Sequence, residues 1–397
     1  MVSIAIGLAA GLAGCASRSP DVFPNWTPAA SAPVRDGSFP HYAEAARLAS
    51  RQVPPRLLTR VRFTPGMRKS ILDATQSAVA QVRRGVGRPP TFEVRPRRPD
   101  EDSEHHLGWL AVGRSLAWRI ERSIEEKQMG RALADFRVAT LFGFDLTAGD
   151  ARDAALGLAI ADMARAALAP AVPLLDPAES RRLLAIVREA LARKPLADVA
   201  IQNEAMNVRM GVQALQDAFR NERWEALVQV FGPRSEAAIR SLRRTEGRER
   251  VAFFVGLAQE GEAVVERAIE NSRQPAAKRR PWSPPKDMER PWAWFAPHLL
   301  GAIEPLSAIN DLTTARTRLL GLQAWVRARK GSEQAAAVTL GREVSDLNQD
   351  PYSGGPMRYV ASGPEFRLYS AGSDLKDDGG DTDGGGLYPD LTLEPAL

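Results

Sequence analysis

The chain has 397 residues, 44% hydrophobic and 25% charged, long enough for more than one folding unit and too apolar for wholesale disorder. Its formal charge is +5, but residues 371–397 hold seven acids against one base, so that stretch is −6 and the remainder +11. A single cysteine and four histidines exclude an intrachain disulfide and a cysteine-built zinc site, and no HExxH, GxSxG or P-loop motif occurs.

Residues 4–13 form an apolar run of secretory length, too short to span a bilayer as a stable helix. The run ends in Leu12-Ala13-Gly14-Cys15, and Cys15 is the sole cysteine. This ending resembles the lipobox of bacterial lipoproteins, although no Lys or Arg precedes it. The resemblance implies a signal peptide over residues 1–14, a diacylglycerol on the Cys15 thiol and acylation of the new amino terminus. Within that family a residue other than Asp after the cysteine, here Ala16, points to the outer membrane. Residues 15–40 carry Pro20, Pro24, Pro28, Pro33 and Pro40, the composition of an extended tether. The body is then expected in the periplasm, held to the membrane through lipid.

Residues 41–305 read as an α-helical body. Leu183, Ile186, Val187, Ala190 and Leu191 recur at helical spacing, with Asp176 as N-cap, Pro177 in the first turn and Pro195 beyond the end. Similar patterns predict helices over about 66–85, 105–125, 127–146, 150–169, 197–220, 235–270 and 296–330. Alternating strand-type runs are absent, and short connections favour antiparallel hairpins. With no fixed repeat period, the expected architecture is an irregular α-helical array carrying a small C-terminal helix plus β-hairpin module. Residues 154–175 are the most apolar later stretch. Asp162, Arg165 and Pro170 interrupt them, so they are expected not to cross a membrane.

Two basic, proline-rich insertions, 85–98 and 274–295, interrupt the body. In the second, Trp282, Trp292 and Trp294 alternate with Lys and Arg, a pattern that can hold a partner by stacking and cation–π contact or can simply pack on the helices. Nucleic acid is not expected as a partner of an exported, lipid-anchored chain. His105 and His106 stand beside Glu101, Asp102 and Glu104. Adjacent helical residues point about 100° apart, so the run reads as an acidic helix start rather than a metal site. Glu204 lies mid-helix with Arg209 five positions on, which reads as a buried or solvated ion pair rather than a catalytic group.

In the C-terminal module, 306–383, Ile309, Leu312, Ala315, Leu319, Leu322 and Val326 form one apolar seam. Residues 357–360 and 366–369 read as two strands joined by a turn over 361–365, with Met357, Tyr359, Phe366 and Leu368 able to close over that seam. Asp350, Pro351, Gly354 or Gly355, Pro356 and Tyr359, then Leu368, Ser370 and Gly372, then the Asp/Gly-rich run, resemble the C-terminal part of the major pseudopilin of type II secretion. That family's N-terminal methylation segment and membrane helix are missing here. The acidic loop is a candidate Ca²⁺ site through Asp374, Asp377, Asp378 and Asp383, ahead of Asp381. It is not an EF-hand, since Lys376 and Gly385 occupy ligand positions, and a solvated acidic stretch fits the same composition. Residues 384–397 read as a flexible tail.

These features point to a lipid-anchored envelope protein that binds or scaffolds an envelope partner without catalysis. An accessory subunit of a secretion or pilus-like system is the first alternative. An envelope hydrolase whose carboxylates converge only in three dimensions is the second.

Overall fold

The structure, a computed structural model, describes residues 36–58, 62–93, 105–231, 236–245, 247–280, 301, 303–329, 343–362, 365–380 and 390–393. Helices α1 (Phe39–Gln52), α2 (Pro55–Leu58), α3 (Pro65–Ala74) and α4 (Gln76–Val86) precede a central trio. The trio is α5 (His106–Glu125), α6 (Met129–Leu146) and α7 (Ala151–Leu168), the last running into a 3₁₀ turn, Ala169–Leu174. Then come α8 (Pro177–Arg193), α9 (Ala197–Arg220), α10 (Trp224–Phe231), α11 (Glu236–Arg244), α12 (Gly247–Ser272) and α13 (Ile303–Arg327). Strands β1 (Arg358–Ser362) and β2 (Glu365–Tyr369) pair antiparallel. The chain is thus an array of packed helices with one small two-stranded sheet among the described residues.

Local chemistry sets the helix ends. Asp176 accepts from the amides of Ala178 and Glu179 while Glu179 reaches back to the Asp176 amide, a capping box with Pro177 at the first position. Asp150 and Asp153 do the same for α7. Two helices expected to be continuous are broken. At Thr75 the hydroxyl turns back to the Ile71 carbonyl at 2.8 Å and bonds Ser115 Oγ of α5 at 2.7 Å, separating α3 from α4. Gly247, at φ +53°, separates α11 from α12, a conformation that costs glycine little.

α5, α6 and α7 pack on one another, with α1 and α4 against α5 and α6, and α8 and α13 on the opposite side. Glycines bring α6 and α7 close: a Cβ at Gly143 would stand 2.5 Å from the Gly157 carbonyl, and one at Gly157 would strike the Gly143 carbonyl. Backbone cannot yield as a side chain tip can, so Gly157→Ala is expected to cost about 1–3 kcal/mol. Urea denaturation checks this, and an unchanged midpoint would remove the close crossing.

By length and composition Ala151–Leu174 does pass as a membrane span, against the expectation drawn from its charges and Pro170. In the fold most of it is inside the protein, and Asp162 pairs with Arg165 at 2.7 Å and with Arg316 of α13 at 3.0 Å. It is a core helix.

α13 differs from its single-seam reading. Ala315, Leu319, Leu322 and Val326 are buried as expected, but so are Leu320, Ala324 and Trp325 on other sides. A helix buried nearly all round is an interior element. α13 packs on α7, α8, α9, α12 and β2, and its side chains join the same apolar cluster as the body. The hairpin does close over it. Met357 and Leu368 are buried, Tyr359 stacks on Phe366 with centroids 6.0 Å apart, and the Arg327 guanidinium lies 5.8 Å from the Phe366 ring. Tyr359 stands opposite Leu368, and the strands reach Ser362 and Glu365, leaving a tighter turn than 361–365. Part of the stretch read as a flexible tail is docked: Leu391 exchanges backbone bonds with Ser370, and Asp390 and Leu393 are buried.

Candidate functional site

Cys15, Trp282, Trp292, Trp294, Asp381 and Asp383 lie outside the described residues. Glu101, Asp102 and Glu104 lie outside them too, and the structure presents three neighbourhoods.

The first is the C-terminal loop. Asp350 opens the segment that carries the pseudopilin-like pattern. Its Oδ1 accepts from the Tyr352 amide at 3.0 Å and from Ser370 Oγ at 2.8 Å, and its Oδ2 accepts from Ser353 Oγ at 3.0 Å. Ser370 Oγ in turn accepts from the Gly372 amide. Asp350, Ser370 and Gly372, three residues of that pattern, are therefore one hydrogen-bonded lock. Asp374 accepts from the Lys376 amide. Asp377 accepts from the Tyr369 hydroxyl at 2.8 Å and pairs with Arg358 at 3.1 Å, and these contacts hold its carboxyl below its usual value. The backbone amide of Asp378 donates to Asp390. Asp390 is the residue that sequence reasoning missed. Its Oδ2 accepts from the amides of Asp378 and Gly380, while its Oδ1 is buried with no partner among the described residues. Burial pushes its carboxyl up, the two amides oppose that, and Asp378 and Asp377 add to the rise. Among the described residues no three His, Cys, Asp or Glu groups stand together as a metal cluster.

The second neighbourhood is the N terminus of α7. His106 Nε2 lies 2.7 Å from Asp153 Oδ1, whereas the His105 ring packs 5.2 Å from Trp109 and 6.1 Å from Phe39. The neighbouring histidines thus take different surroundings. Glu204 does not pair with Arg209, which reaches Glu262 of α12 at 3.0 Å. Glu204 instead accepts from the Ala151 amide and from Asn207, each at 3.2 Å. Burial, then the charge of Asp150, pushes its carboxyl up to about 7. Asp150, Asp153 and Glu204 are engaged in closing one helix end.

The third was not visible in sequence. A cleft of about 560 Å³ opens between the α8–α9 corner, the end of α12, α13 and residues 346–351. Five basic side chains line it. Arg188 pairs with Asp346 at 2.9 Å, Arg273 with Asp198 at 2.7 Å, and Arg279 grips Asp311 with both nitrogens. Lys194 and Arg318 have no carboxylate within ion-pair distance among the described residues. Lys194 donates to Asn310 Oδ1 at 2.5 Å, and Arg318 donates to the Gln349 carbonyl at 2.6 Å. Burial, reinforced by Arg318 and opposed by Asp311, brings the Lys194 ammonium down to about 8. Burial likewise lowers Arg318. Thr314 Oγ1 at the wall is buried without a partner.

Comparison of the chain with protein-family profiles, curated proteins and solved structures finds no match. Glu204 and Asp150 are both buried at the start of α7, and neither lines the cleft. The cleft offers cations and apolar wall, the equipment of binding.

Proposed function

We propose that the chain is a lipid-anchored envelope protein, tethered at Cys15 and acting as a binding or scaffolding body. The observation that supports this reading is the Asp350–Ser370–Gly372 lock, which fixes the C-terminal segment, while β2 packs on the core helix α13 and Arg318 of α13 bonds the Gln349 carbonyl, so the ending is seated on a helical body. The three acids at α7 are engaged in capping, in keeping with a non-enzymatic role. The anchor is expected in the outer membrane, with the body in the periplasm.

Cys15→Ala tests the anchor. The native chain is expected in the membrane fraction with an acylated mature N terminus. The variant is expected in the soluble fraction or with its signal uncut. Membrane retention of the variant at a normal mature mass would overturn the reading.

A second reading, an accessory subunit of a secretion or pilus-like system, is favoured by the same lock. Calcium belongs to it, because Asp374, Asp377 and Asp378 lie on a turn where, among the described residues, Asp390 leaves one buried oxygen unpaired; Asp383, of the same acidic run, lies outside the described residues. An ion bound only by the folded chain raises the melting temperature with its concentration. The full chain is expected to melt higher in calcium than in chelator, and Asp374→Ala is expected to abolish the difference. Equal melting in both media would leave this stretch a plain acidic loop.

A further inference from the structure

We propose that the cleft at the α8–α9 corner is a binding site for a small organic carboxylate. The inference goes beyond the membrane-tethered reading and does not depend on it. Three of the five cations lining the cleft are neutralised by Asp198, Asp311 and Asp346. Lys194 and Arg318 then share the cleft lining with Asp350, whose two oxygens are already engaged by a backbone amide and two serine hydroxyls. One positive charge remains in excess, which suits a monoanion. A phosphate dianion would bring a second negative charge against Asp350 at no gain.

The remaining donors fit a carboxylate. Arg318 commits Nη1 to the Gln349 carbonyl and leaves the rest of its fork without a carboxylate. Its Nε and the Thr314 hydroxyl, one turn away on the same helix, are both buried without partners among the described residues. Buried unpaired polar groups on a cavity wall are uncommon, and a ligand is one physical reason for them. α9 also starts at this wall with Leu196 as N-cap, a residue that supplies no side-chain acceptor, so its dipole favours an anion nearby. Leu191, Leu196, Leu347, Pro275 and Pro351 supply apolar surface for a hydrocarbon portion. The volume lies within the range of small-molecule sites, about 300–1,000 Å³.

Calorimetric titration of the full chain with octanoate, octyl phosphate and octanol tests the proposal. Octanoate is expected to bind saturably at pH 7 and more tightly than the other two. Arg318→Gln is expected to weaken octanoate about tenfold or more, the size of one lost charge-assisted contact. Lys194→Met is expected to do likewise while keeping the wall filled, and Thr314→Val guards against a folding defect in either. Raising the pH to 9 discharges Lys194, so native affinity falls while Lys194→Met stays flat. The charges that act on that ammonium are Arg318 and Asp311 on α13, and the other charged groups lining the cleft are Arg188 on α8, Arg273 and Arg279 after α12, and Asp346 and Asp350. Octanol binding as tightly as octanoate would overturn the carboxylate, as would octyl phosphate binding more tightly. Octanoate affinity unchanged in all three variants would overturn the site.

Discussion

Asp145→Asn is expected to destabilise the fold by about 3–5 kcal/mol, the usual cost of removing one partner from a buried ion pair. Asp145 ends α6 and is 1% exposed. It accepts from the Tyr42 hydroxyl at 2.5 Å and from Arg193 Nε and Nη2, each at 2.6 Å. Arg193 spends its remaining donors on the carbonyls of Val86 at 2.8 Å and Arg88 at 2.9 Å. One carboxylate therefore ties α1, the end of α4, α6 and α8 together. Burial pushes its carboxyl up, and the Arg193 guanidinium and Tyr42 hydroxyl pull it back. Asparagine leaves the guanidinium without its ion-pair partner, with only the weaker influence of half-exposed Glu189. The matched control is Glu189→Gln, which breaks the Arg137 pair on the surface, where both side chains are 40% exposed. That loss is expected below about 1 kcal/mol. Urea denaturation of both variants decides the matter, and comparable midpoints would show that the buried network is not the stronger tie.

The second large effect is a pH dependence carried by Glu204. Folded, its carboxyl holds a proton up to about pH 7, whereas the ordinary value is 4.5. The folded chain therefore binds more protons than the unfolded one across that window, and stability falls as pH rises through it. The loss reaches about 1–3 kcal/mol, on the scale of about 1.4 kcal/mol per pH unit. Glu204→Gln keeps an oxygen for the Ala151 amide and Asn207 but never ionises. It is expected to match the native chain at pH 4.5 and to exceed its stability at pH 8. Asp390, Asp311 and Asp145 are also pushed up by burial and contribute in the same direction, so the difference between variant and native chain is the readout. An identical difference at both pH values would refute the assignment.

Much of the helical plan was legible because its signals are local. The Asp176-Pro177 start, the stripe through Leu183 and Ala190, and the paired strands before and after residues 363–364 rest on residues within a few positions of one another. The break at Thr75 was not legible. Its local pattern is helical, and its hydroxyl is drawn off by Ser115, 40 residues away. Nor was the cleft. Lys194 and Arg318 look like ordinary surface cations in sequence, and only the packing of α13 against α8 brings them to one wall.

The sequence by itself determined the helical class, the placement of most helices and the C-terminal hairpin, since backbone preference and apolar periodicity are properties of neighbouring residues. The proposed lipid anchor and the proposed likeness of the ending to a pseudopilin rest on sequence pattern alone. Tertiary structure alone decided which charges are buried and with whom. Tyr42 and Arg193 meet Asp145 across 103 and 48 positions, Arg209 turns from Glu204 to Glu262, and Asp390 returns to the Asp378 turn with one oxygen unpaired. A buried charge requires a partner whatever its distance along the chain, and which partner it meets is set by how the helices pack.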